Sequence, residues 1–302
     1  MLNIYEQVDR NKQKSLIIMV SFVLFIGVAV WALSEALGYG PSITGLALIV
    51  AGIMSLGSYY YSDRIILSLS KARQANRKKD FNFYTVTENL SIAAQLPIPK
   101  LYVIEDSATN AFATGRDPDH AVVVVTRGLL KKLDRTELEG VIAHELSHIK
   151  NYDIRVMALV TVLVGLVTLL ADWFLRASFW GGGRRRSAKR GQAAAFIAIA
   201  GILLALLSPL VANLMKLAIS RRREFLADAS GVQLTKFPQG LARALEKISK
   251  DREPLEAANK ATAHLYITNP LKNKHDAVGW FAGLFNTHPP IKERLAALRA
   301  MQ

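Results

Sequence analysis

Long uncharged apolar runs alternate along this chain with mixed stretches whose polarity follows helix or strand periods. Ser15 to Leu33 is the first uncharged run, preceded by Arg10, Lys12 and Lys14. It is long enough to cross a bilayer. Ser42 to Tyr61 is the second, and only Ser34 to Pro41 separates the two, so they predict a tight hairpin of apolar helices. A cleaved leader is disfavoured, because no small-residue cleavage site follows and a second run comes at once. Tyr59, Tyr60 and Tyr61 stand where aromatic side chains anchor a span at the interface. Val156 to Ala171 is a third run, interrupted by Asp172 and continued by Trp173, Phe174 and Leu175. Gln192 to Met215 is the fourth, with Pro209 placed to kink it.

The segments between these runs read differently. Leu101 to Ile104 and Ala121 to Thr126 are rich in β-branched residues and predict strands, with Asn110 to Gly115 a shorter strand between them. Thr136 with Glu139 matches a capping box ahead of an apolar-periodic run, which predicts a helix carrying Val141 to Ile149. Residues 216–302 read as mostly helical, with breaks near Pro238, Pro254, Asn269-Pro270 and Pro289-Pro290. The chain thus divides into an N-terminal transmembrane hairpin (1–62), a first soluble part (63–155), a second membrane hairpin (156–215) and a second soluble part (216–302).

Composition sharpens this division. Apolar residues make up 51% of a chain that is also 21% charged, so the two classes must be segregated. The formal net charge is +14, and much of it flanks the apolar runs. Anionic lipid head groups are therefore the expected partner, and nucleic acid is not. The Lys71 to Lys79 cluster fits a solvated edge facing the lipid surface. With no cysteine, disulfides and thiolate metal sites are excluded.

His144-Glu145-Leu146-Ser147-His148 is an H-E-x-x-H motif on the predicted helix. Residues four apart lie about 40° apart around a helix axis, so both imidazoles can reach one zinc ion. Zinc makes hydroxide available near neutral pH, and Glu145, beside the first ligand, is placed to take the proton. One such ion per chain needs a third protein ligand, and the residues after His148 do not supply it. Glu224 and Asp228 are four apart on a common helix face. One can bind zinc while the other fixes the tautomer of a ligand histidine, or both can pair with Arg221 to Arg223.

Four motifs carry a resemblance: Asn110-Ala111-Phe112-Ala113-Thr114-Gly115, Val141 to His148 with Asp153, Ser220 to Asp228, and Thr287-His288-Pro289-Pro290 with Arg294. Together with the four apolar runs, they resemble the HtpX-type heat-shock membrane proteases, a family shared with the type I CAAX prenyl proteases. The resemblance implies Glu224 as third zinc ligand and Asp228 as its support, and it places the segment of His288 and Arg294 by the active site. Asp153 and Arg294 are read as further supports, Arg294 either bracing its loop or orienting a neighbouring carboxylate. It also implies hydrolysis of peptide bonds in damaged or misassembled membrane proteins. Prenyl-protein processing and an inactive scaffold are the alternatives, although a scaffold would have little reason to keep Glu145. Asn110, Ala111, Phe112 and Ala113 are expected to hold substrate through an edge strand, whose backbone hydrogen bonds tolerate many sequences. His288, ahead of two prolines, is a candidate donor to the developing oxyanion, with a structural corner and a resting-state zinc ligand as its other readings. His120, His264 and His275 read as ordinary surface or structural residues, and Trp173, Trp180 and Trp280 as interfacial or core residues.

The expected fold is a mainly α integral membrane protein: four apolar helices plus a zincin-like α+β protease domain with a small β-sheet. His148 and Glu224 must lie on one side of the membrane, so the third and fourth runs either both cross or both do not. Crossing is favoured by the length of Gln192 to Met215, although it would put the basic loop Arg184 to Arg190 outside. The N-terminal tail and residues 62–80 are basic, which predicts a cell-membrane protein of several spans with its protease domain facing the cytoplasm.

Overall fold

The computed structural model describes residues 4–36, 42–165, 221–258, 262, 265–268, 270 and 289–301. The first two apolar runs are the helices α1 (Ile4–Ala36) and α2 (Ser42–Leu69), which pack against each other. Both run beyond the uncharged cores predicted for them. Among the described residues one stretch, Val8–Val28, is long and apolar enough to cross a membrane.

The sheet has four strands: β1 (Arg73–Gln74), β2 (Lys100–Ile104), β3 (Ala111–Thr114) and β4 (Val122–Thr126). Their order is β1-β2-β4-β3, with β2 and β4 parallel and the other pairs antiparallel. The three strands expected from the sequence are present; β1 was not foreseen. Neither was α3 (Phe81–Ala94), which follows it. A short helix, α4 (Arg127–Lys132), leads into α5 (Arg135–Lys150), and residues 153–165 form α6. After the segment outside the described residues come α7 (Arg221–Thr235), α8 (Pro238–Lys250) and α9 (Ile291–Arg299).

Strand β4 is a continuous valine run because both sheet faces are covered. On one face Leu101, Val103, Ala111, Ala113, Val123 and Val125 join the core formed with α3, α5 and α8. On the other, Ile104, Phe112, Val122 and Val124 meet Ile66 and Leu67 of α2, Met157 of α6, and Tyr266. The start of the third apolar run is buried as part of α6, where Val156, Leu159, Val160 and Leu163 pack on Ile18 and Phe22 of α1. The remainder of that run, the basic loop Arg184 to Arg190, the fourth run and the three tryptophans named above lie outside the described residues.

The basic cluster after α2 is partly used within the domain. Arg73 pairs with Glu105, and Arg77 lies 2.9 Å from Glu88. His120 is exposed and pairs with Asp117 at 2.6 Å, as a surface residue should.

Candidate active site

Helix α5 starts two residues before the position the sequence suggested. Its capping box is Asp134 with Glu137: the Glu137 amide donates to Asp134 at 2.9 Å, and the Asp134 amide donates to Glu137 at 2.9 Å. Thr136 and Glu139 match the same pattern, but Thr136 donates to Asp134 at 2.7 Å and Glu139 accepts from Arg135 at 3.1 Å. The overlapping box whose cap is a carboxylate prevails, which suits the positive end of a helix. Two glycines let α5 sit deep in the domain. A Cβ on Gly140 would lie 2.5 Å from the Leu241 amide nitrogen of α8, and one on Gly231 of α7 would lie 3.2 Å from the His144 amide nitrogen. Close approach at Gly231 brings the acidic face of α7 against the histidines.

The ligand atoms of His144, His148 and Glu224 all lie within 4.8 Å of one another, in buried surroundings that could hold a metal ion. The two Nε2 atoms are 3.2 Å apart, and Glu224 oxygens lie 3.7 Å from His144 Nε2 and 3.5 Å from His148 Nε2. The other nitrogen of each ring is held by a carboxylate. His144 Nδ1 lies 2.9 Å from Asp228, and His148 Nδ1 lies 3.0 Å from Asp153. Each such pairing fixes the tautomer that turns Nε2 towards the cluster. Asp153 reaches back to His148 because α5 ends at Asn151 and Tyr152 takes a left-handed turn with φ 58. Arg294 of α9 clamps Asp228 with two hydrogen bonds, of 2.7 and 2.9 Å.

The model for peptidase family M48 matches residues 77–302. The chain belongs to peptidase family M48. Among M48 relatives, the protease HtpX homolog of Dictyoglomus thermophilum is 44% identical over 98% of this chain and 94% of its own. That of Ligilactobacillus salivarius is 39% identical over 99% of this chain and 100% of its own, and that of Tropheryma whipplei strain Twist is 41% identical over 98% of both. The crystal structure of S. mikatae Ste24p is similar over 96% of this chain, at 19% identity and TM-score 0.48. This chain spans 66% of that one, slightly under two thirds of its length.

The electrostatics of this M48 site follow from its burial. Burial pushes the Glu145 carboxyl up to about 7, helped by the charge of Glu224 and opposed by His148 and by the Ala113 backbone amide. A group poised near neutrality can both take and return a proton. Burial also holds His144 below its usual value, with Arg294 adding to the effect. Burial pulls His148 the same way, but Asp153 and Glu224 outweigh it and push that imidazole up to about 9. Asp228 would be raised by burial; Arg294 and His144 hold it below the usual carboxylate range.

A metal at Nε2 must displace the proton that His148 carries below about pH 9 in the metal-free protein. Metal affinity should therefore fall by about tenfold per pH unit as the pH drops below that value, with a proton released on binding. Chelator competition across neutral pH reads this directly; a flat profile would contradict it.

The structure brings together Glu145, His144, His148, Glu224, Asp228, Asp153 and Arg294. Arg294, expected either to brace its loop or to orient a neighbouring carboxylate, hydrogen-bonds Asp228. His264, His275 and His288 lie outside the described residues. Glu224 and Asp228 should also separate experimentally. Glu224→Ala removes a ligand atom and should empty the site, whereas Asp228→Asn removes a support and should weaken metal affinity by about 10–100-fold. Metal content of the two purified variants decides, and emptying by Asp228→Asn alone would reverse the roles.

The edge strand β3 carries further detail. The Ile267 amide donates to the Ala111 carbonyl at 3.0 Å, and the Asn110 side chain donates to the Thr268 carbonyl at 3.1 Å. Sequence reasoning missed this cover over Asn110 and Ala111, because no pattern links residues so far apart. It also missed Asn11, which lies in a polar stretch with nothing to distinguish it and donates to Asp153 at 2.8 Å.

Proposed function

We propose that this chain is a zinc-dependent endopeptidase seated in a cell membrane, hydrolysing peptide bonds in damaged or misfolded membrane proteins. The observation that carries the reading is the ligand triangle beside Glu145. Zinc bonds of about 2.0–2.1 Å in a tetrahedron separate ligand atoms by about 3.3 Å. The two Nε2 atoms stand 3.2 Å apart, and the two Glu224 oxygens approach one histidine each, Oε1 at 3.5 Å from His148 and Oε2 at 3.7 Å from His144, so the nearest approaches lie around that value. Bound by these three residues, zinc would supply a more acidic water and a polarised carbonyl. Glu145 takes the proton of the attacking water at its carboxylate and passes it to the leaving amine. Asp228 and Asp153 keep the two imidazoles in the tautomers that bind metal.

Substrate is held by Asn110, Ala111, Phe112 and Ala113 as an added strand. Support comes from the position of β3 at the sheet edge and from the Ala113 amide beside Glu145. Because Ile267 pairs with Ala111, a substrate strand joins at the Ala113 end or displaces residues 266–268. His288 is retained as the proposed oxyanion donor; the chain after it enters α9 at Pro290 and reaches Asp228 through Arg294.

The membrane reading rests on the outward faces of α1 and α2. Leu16, Ile17, Val20, Leu24, Leu46, Ile49, Ile53 and Leu56 are all exposed there, a set that suits lipid and not water. We extend it to four spans with the protease domain in the cytoplasm and anionic lipid around the basic flanks. The chain has no cysteine, so Ser187→Cys is a clean probe of the basic loop. Labelling of intact cells by an impermeant thiol reagent is expected; labelling only after lysis would leave the second hairpin uncrossed.

Substrate class is tested with the full chain in proteoliposomes. It is offered a membrane protein in native form, the same protein destabilised by a core substitution, and a prenylated peptide. Cleavage confined to the destabilised protein is expected. Preference for the prenylated peptide would favour the processing reading instead.

A further inference from the structure

Each candidate metal-binding histidine is backed by a carboxylate, and each carboxylate is in turn held by a residue from a remote end of the chain. For His144 the series is Asp228 and then Arg294, near the C-terminus. For His148 it is Asp153 and then Asn11, in the first helix. Asn11 is 2% exposed. Its Nδ2 donates to Asp153 Oδ1 at 2.8 Å and to the Asn151 carbonyl at 2.8 Å. The first bond acts on the carboxylate that orients His148. The second acts on the residue that ends α5, so both ends of the His148 placement pass through one amide. Arg223 Nε forms an ion pair with the same Asp153 oxygen at 3.6 Å, so Asn11 supplies the hydrogen bond and Arg223 a charge.

Asn11 belongs to the helix whose residues Val8–Val28 form the apolar candidate span. It lies outside residues 77–302, the part of the chain that the family model matches. We propose that Asn11 is a positioning residue for the metal site, through which the seating of α1 against the protease domain sets the orientation of His148. This rests on the zinc-peptidase reading. Its physical basis is that a ligand imidazole is only as well oriented as the carboxylate behind it, and that outer partners of this kind are commonly worth about 10–100-fold in metal affinity or activity. Asn11 Nδ2 serves both acceptors, and Lys14, also on α1, acts on Asp153 through charge. The consequence is that a protease domain whose first helix is displaced holds its metal poorly. The site is then complete only when α1 is docked, which ties competence to correct insertion.

The test compares Asn11→Leu, which keeps the branching of the side chain but cannot donate, with Ser15→Ala. Ser15 is a buried neighbour on α1 whose hydroxyl donates at 2.9 Å to the Asn11 backbone carbonyl and not to the metal site. Zinc affinity of the full-length proteins in detergent is measured by chelator competition, and the ligand field by the absorption spectrum after cobalt substitution. Asn11→Leu should lose about 10–100-fold in zinc affinity and show an altered cobalt spectrum, while Ser15→Ala keeps both. A folded Asn11→Leu protein with wild-type affinity and spectrum would overturn the proposal. Equal losses in both variants would also overturn it, since they would mark general loosening of α1. If Asn11→Leu does not fold, Asn11→Gln, which keeps a displaced amide, replaces it. An intermediate loss of affinity supports the link, and none rejects it. Failure of the wild-type protein to bind zinc would reject the underlying reading itself, which separates the two outcomes.

Discussion

Glu145→Gln is expected to leave the protein folded and its metal bound while peptide hydrolysis falls by about 10²–10⁴-fold, the usual contribution of a positioned general base. Glutamine keeps the shape of the side chain but cannot accept a proton. The substitution should be well tolerated structurally, because the carboxyl is buried and pushed up to about 7, so a neutral form already fits the site. Glu145 is not one of the three residues whose ligand atoms cluster, His144, His148 and Glu224. Metal content by elemental analysis and turnover on an unfolded substrate should therefore separate. Near-normal turnover in the variant would remove Glu145 from the chemistry, and loss of metal would make it a ligand.

The second large effect is structural. Arg294 is 0% exposed and makes two hydrogen bonds to Asp228, itself fully buried. Another Arg294 nitrogen lies 3.7 Å from Glu224. Arg294→Ala leaves these carboxylates in a low-dielectric interior without their cation. Removing one member of such a buried pair typically costs about 3–5 kcal/mol. Against a total stability of about 5–15 kcal/mol, that is enough to lower the unfolding midpoint steeply. Arg294→Lys should recover only part of the loss, since an ammonium cannot reproduce the two-pronged geometry. Denaturant or thermal unfolding of the purified variants measures this. A loss below about 1 kcal/mol in Arg294→Ala would show that the pair behaves like a surface salt bridge.

The legibility of this site in the sequence varied with the distance over which each relation acts. His144, Glu145 and His148 were legible because a helix period fixes their mutual placement. Glu224 and Asp228 were recognisable as a pair for the same reason, but spacing alone could not say which faces the metal. That depends on the approach of α7 to α5 at Gly231, a tertiary contact. Strands β2, β3 and β4 were legible through their β-branched runs, whereas β1 has two polar residues and exists only by pairing with Tyr102 and Val103. The exact cap of α5 was missed because two capping boxes overlap in the sequence. Asn11 with Asp153 and Ile267 with Ala111 are separated by long stretches of chain and carry no periodic signature. Such pairs become visible only in the folded structure.

The most direct test of the account is metal removal and return in the purified full-length protein. Elemental analysis should find one zinc per chain. Cleavage of a destabilised membrane protein should stop on complete chelation and resume on adding zinc back. Undiminished cleavage by protein stripped of all metal, or absence of zinc from a fully active preparation, would contradict a zinc centre held by His144, His148 and Glu224.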